Sequence, residues 1–119
     1  MNRTTLTRVA LVLAVVFAVT MALLPKPPHM PTDQFGDKFE HMLAFATMAL
    51  LAALSFPTAR LFRIGERLSF LGALIEVLQS IPSLHRDCDI HDWIADTLAI
   101  TVVLLLVWVA RRGRGARLP

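Results

Sequence analysis

Four apolar runs, at residues 9–24, 42–56, 68–81 and 93–110, take up more than half of this 119-residue chain. Proline closes the first three: Pro25, Pro27 and Pro28 follow the first run, Pro57 the second and Pro82 the third. Proline lacks a backbone donor and clashes with the preceding helical turn, so each run reads as a helix that stops near its proline. The segments between runs are short. They leave room for one domain over residues 1–119, and none for a separate soluble catalytic domain. The expected fold is all-α, a four-helix transmembrane bundle with short loops.

Run length can be set against a bilayer. A hydrocarbon core of about 30 Å takes about 20 helical residues at about 1.5 Å each. The fourth run reaches roughly 27 Å and spans with its flanks. The third reaches only about 21 Å, so it would borrow polar flanks, thin the bilayer or face a cavity at one end. Glu76 and Gln79 occupy its second half, which favours the cavity. The first run follows Arg3 and Arg8, a pattern that signal peptides share. Thr20 and Ala22 make a poor cleavage site, so it reads as an uncleaved span. The chain is 55% hydrophobic and 18% charged, with mean hydropathy +0.60. That is apolar for a water-soluble domain.

Charge orients the bundle. Four spans would put the N-terminus, the 57–67 segment and the C-terminal tail on one side. That side holds nine basic residues, Arg3, Arg8, Arg60, Arg63, Arg67, Arg111, Arg112, Arg114 and Arg117. The other side holds Lys26, Lys38 and Arg86. Positive segments stay in the cytoplasm, so both termini are expected inside a bacterial inner (plasma) membrane, with the chain crossing it several times. The net charge of +3 alone would also suit nucleic acid. Arginines at the ends of apolar runs read instead as topology anchors, and no nucleic-acid partner is expected.

The acids collect on the opposite side. Asp33, Asp37, Glu40, Asp87, Asp89 and Asp92 lie there, against Glu66 alone on the basic side. Acids do little to set orientation, so their bias needs a separate cause. Glu76 and Asp96 lie within apolar runs, where a charge near the bilayer centre costs at least about 2.5 kcal/mol. Asp37 and His41 are four residues apart, Glu76 and Gln79 three, and Asp89, Asp92 and Asp96 follow i, i+3, i+7. Each set shares a helical face. The expectation is one outward cavity built from Asp37, Lys38, His41, Glu76, Gln79, Arg86, Asp89, Asp92 and Asp96. As structural alternatives, Asp37 and Glu40 would simply favour a helix start, and Glu76 with Gln79 would bind helices together.

Other chemistry has weaker support. HRDCDIHD, residues 85–92, packs two histidines, a cysteine and three aspartates together, and all three types ligate zinc. Its spacing fits no closed zinc motif and no calcium loop, so no metal and no cofactor are expected. Ser80 and Ser83 near His85 lack a nucleophile elbow. Cys88 is alone, which excludes an intramolecular disulfide.

Three motifs in order carry a resemblance. Asp37 and Lys38 with His41, then Phe45, precede and enter the second run. Glu76 with Gln79 follows in the third. Arg86, Asp89 and Asp92 lead into Asp96 and Ala99 in the fourth. The chain resembles the VanZ-like family of small bacterial membrane proteins, named for a member associated with teicoplanin resistance. Asp96 stands where that family commonly has Asn, and Ala99 where it commonly has Gly. The resemblance covers nearly the whole chain and implies a four-span envelope protein linked to glycopeptide tolerance. Two function classes follow. One is a module that binds an envelope lipid head group or a glycopeptide-related ligand, alone or as a homo-oligomer. The other is a membrane-embedded enzyme acting on a lipid-linked substrate, with His41 or Glu76 as general base. The absence of a recognised nucleophile or metal motif favours the first.

Overall fold

The computed structural model describes residues 2–24, 36–81 and 90–113. They form four helices: α1 (Arg3–Leu23), α2 (Gly36–Ser55), α3 (Leu61–Gln79) and α4 (Ile90–Arg112). No strand occurs among the described residues. Every helix begins before its apolar run, because polar first turns belong to the helix as well. The effect is largest in α3, which has 19 residues and starts at Leu61. At the usual helical rise it is about 28 Å long. The added length comes from turns that carry Arg63, Glu66 and Arg67, so the short apolar run borrows polar flanks, one of the outcomes expected for it. Leu61, Ile64, Leu68, Gly72, Ile75 and Gln79 make its buried stripe, at the three- and four-residue steps of one helical face. Arg63, Glu66 and Arg67 occupy the exposed side of the same turns.

α2 lies at the centre, packed most extensively on α4 and α1, while α3 closes the bundle against α4 and, more lightly, against α2 and α1. The α2 face of Phe45, Met48, Ala49 and Ala52 is buried, with small residues admitting neighbours at close range. On α4, Ala95 and Ala99 play the same part on either side of Asp96. The outside remains apolar. Leu13 on α1, Phe62 and Phe70 on α3 and Leu106 on α4 are 64%, 68%, 71% and 65% exposed. α1 and α4 are both long and apolar enough to cross a membrane, judged by length and composition, and Phe39–Ser55 of α2 is a shorter apolar helix.

Helix ends are satisfied by neighbouring helices. The last carbonyls of an α-helix have no partner within it, and neither α1 nor α2 has a basic residue in its last turn. Arg8 of α1 donates through Nε to the Ser55 carbonyl at 3.0 Å, with its guanidinium 4.8 Å above the Phe56 ring. Arg111 of α4 donates through Nη2 to the Ala53 carbonyl at 2.7 Å. Two cations thus meet the negative end of the α2 dipole. At the opposite end of the bundle, Gln79 of α3 donates through Nε2 to the Ala22 carbonyl of α1 at 2.9 Å. α1 begins on the Asn2 side chain, which accepts from the Thr5 amide at 2.8 Å, as an N-cap asparagine does.

Candidate polar site

Three helices bring ionisable groups together at the end of the bundle away from the α2–α3 turn. His41 lies in the second turn of α2, Glu76 in the last turn of α3, and Asp92 and Asp96 in the first two turns of α4. His41 Nδ1 stands 3.7 Å from Asp96 Oδ2. That is an ion-pair distance, longer than the roughly 2.7–3.2 Å of a direct hydrogen bond. The Asp96 side chain is 1% exposed and that of His41 12%. Asp92 and Glu76 are also near enough for their charges to act on the imidazole. Glu76 is buried, and Asp92 partly so.

The walls are apolar. Gly72 on α3 lies one turn before Glu76 and leaves room that a side chain would take. A Cβ there would stand 3.4 Å from Trp93 Cδ1 and 3.5 Å from both Asp96 Oδ2 and Phe45 Cζ. Trp93 is held in place by its indole N–H, which donates to the Ser69 carbonyl at 3.0 Å. Below it, Ser69 Oγ and Thr97 Oγ1 share a hydrogen bond of 3.0 Å between α3 and α4. Sequence reasoning does not single out Gly72 and Trp93 as site residues. The available signal is their spacing, four residues before Glu76 and three before Asp96.

Not every expected residue joins this cluster. Gln79 is 2% exposed and gives its amide donor to α1, while its Oε1 has no hydrogen-bond partner among the described residues. Asp37 and Lys38 lie in the first turn of α2, and their side chains fall outside the described residues, as do Arg86 and Asp89. Most of the HRDCDIHD segment is outside them too. Among the described residues, no group of three or more His, Cys, Asp or Glu side chains could hold a metal ion.

The cluster is rich in acceptors. Asp96 is paired with the His41 imidazole, with Glu76 and Asp92 on the helices around them, and Asp96 Oδ1 is buried with no hydrogen-bond partner among the described residues. A buried carboxylate oxygen without a donor is costly, and a proton, an ammonium, a hydroxyl or an amide N–H would offset that cost. The chain matches no protein-family model, no curated protein and no solved structure.

Proposed function

We propose that this chain is a four-span protein of a bacterial inner membrane, with both termini cytoplasmic. At its outer face it binds the polar group of an envelope lipid or a glycopeptide-related ligand. Three features support the membrane reading. Large apolar side chains are exposed on all four helices. α1 and α4 have spanning length and composition. Nine basic residues fall on one side and three on the other, the asymmetry that sets topology. The resemblance to VanZ-like proteins implies the same four spans and links the protein, by family association, with tolerance to glycopeptide antibiotics.

The observation that carries the binding reading is Asp96, 1% exposed beside His41 with one carboxylate oxygen lacking a donor among the described residues. A ligand offering hydroxyl or ammonium donors completes that oxygen beside the His41 imidazole. Charge-assisted hydrogen bonds of this kind are about twice as strong as neutral ones. The test incubates purified protein in detergent with bacterial envelope lipids and identifies retained species by mass spectrometry. Retention of a donor-rich lipid that is weakened in Asp96→Asn, which keeps an acceptor but loses the charge, with folded yield unchanged, is the expected result. A chemically altered head group would instead establish the enzyme reading, with His41 or Glu76 as base. Equal retention by wild type and Asp96→Asn would overturn the binding site.

A further inference from the structure

A second feature lies at the other end of α3 and α4. Phe62, Gly65 and Ser69 on α3 face Thr97, Thr101 and Leu105 on α4 across an open groove of about 520 Å³. That volume falls within the roughly 300–1,000 Å³ of small-molecule sites. The groove follows the helices from Phe62 to Ser69, a rise of about 10 Å, which fits within half of a roughly 30 Å hydrocarbon core. Its deep end is the Ser69–Thr97 hydrogen bond. Its floor stays low because Gly65 has no side chain, and even a Cβ there would come within 3.2 Å of Leu104 Cδ1.

The groove's own lining carries one ionisable residue, Glu66, and the arginines of this end of the bundle lie outside that lining. On α4 the stripe through Thr101 and Leu105 continues to Trp108 and Arg112, at the spacing of one helical face. The exposed Arg112 guanidinium sits 5.3 Å from the Trp108 ring centroid. Arg63, exposed on α3, follows Phe62 directly. Glu66 also lines the groove, but in sequence it is flanked by Arg63 and Arg67. At this end of α3 and α4 the exposed Arg63, Arg67 and Arg112 outnumber Glu66, so the net charge around the groove suits an anion, while its mainly apolar lining suits hydrocarbon.

We infer that this groove seats an acyl chain of an anionic phospholipid from the cytoplasmic leaflet, with the lipid phosphate at Arg112. The inference rests on the membrane reading above but not on the polar site at the outer face. Trp108 packs against the core and its ring face holds the exposed Arg112, whose guanidinium suits the head-group level, where it reaches phosphate. A helix of a second copy would fit the site less well: about 10 Å wide, it fills about 800 Å³ over this length, about one and a half times the 520 Å³ of the groove.

The test reconstitutes the full chain in nanodiscs of phosphatidylglycerol and phosphatidylcholine, releases it into mild detergent and counts retained lipids by native mass spectrometry. Wild type should retain one phosphatidylglycerol in preference to phosphatidylcholine. Thr101→Trp fills the groove from an exposed position and should abolish that retention. Arg112→Gln should keep chain binding but reduce the preference for phosphatidylglycerol about fivefold, the share of one interfacial arginine. Unchanged retention in Thr101→Trp would overturn the inference, as would a wild-type dimer that this substitution dissociates. Failure of the chain to enter nanodiscs would defeat the membrane reading as well. Loss of lipid in Thr101→Trp alongside an ineffective Asp96→Asn would defeat only the outer polar site.

Discussion

Gln79 on α3 donates its side-chain amide to the Ala22 carbonyl of α1 across 2.9 Å. This one bond joins the C-terminal ends of two helices that pack only lightly against each other. It also supplies a partner to one of the carbonyls that α1 leaves open at its C-terminus. Gln79 therefore holds α1 in place with one of its two amide hydrogens.

Replacing Gln79 with Leu keeps the volume but removes the donor. A buried carbonyl left without its partner costs about 1–3 kcal/mol. The apparent melting temperature in detergent should fall accordingly. Retention of donor-rich lipid at the outer site should be far less affected than in Asp96→Asn. A Gln79→Leu protein as stable as wild type would show that the bond is dispensable.

α1 is fastened at both ends, by Gln79 at one and by Arg8 on the Ser55 carbonyl at the other. The two contacts share no residue and lie at opposite ends of the bundle, so their losses should add. Limited proteolysis of Arg8→Gln, Gln79→Leu and the double variant measures release of α1. Only the double variant should lose α1 readily. N-terminal sequencing of the mature wild-type chain should also find α1 still attached, and a start beyond Ala22 would refute its role as a span.

Gly72 tests how tightly the outer site is walled. A methyl group there meets its nearest neighbours at 3.4–3.5 Å, the edge of ordinary contact. Gly72→Ala should fold as well as wild type, or gain up to about 1 kcal/mol from helix propensity. Gly72→Leu must displace Trp93, Phe45 or Asp96 and should cost about 1–3 kcal/mol. Comparing the unfolding of both in detergent checks the packing. Equal stability of the two would mean that the site is looser than described.

The proposed orientation has its own check. A cytoplasmic reporter fused after residue 119 should be active and a periplasmic one silent. The opposite pattern would reverse the topology and place the basic groove on the outer face.

Helix number and type were legible in the chain, because apolar runs and their prolines mark four helices without help from tertiary contacts. Chain order also assigned the acids to one side, and the structure describes that side's acids only at Glu40, Glu76, Asp92 and Asp96. Periodicity within a helix also placed Asp92 and Asp96 on a shared face. It could not say which faces of different helices meet. That depends on how α2, α3 and α4 rotate and slide against one another, and the small residues Ala49, Ala52, Gly72, Ala95 and Ala99 set how near they come. Only this packing paired His41 with Asp96 and turned Gln79 away to α1. It also gave two arginines a second task. Arg8 and Arg111 look like topology anchors in the sequence, yet in the fold they reach the open carbonyls that end α2. A linear sequence shows where a helix stops, but only the packed bundle decides which distant side chain satisfies the polar groups exposed there.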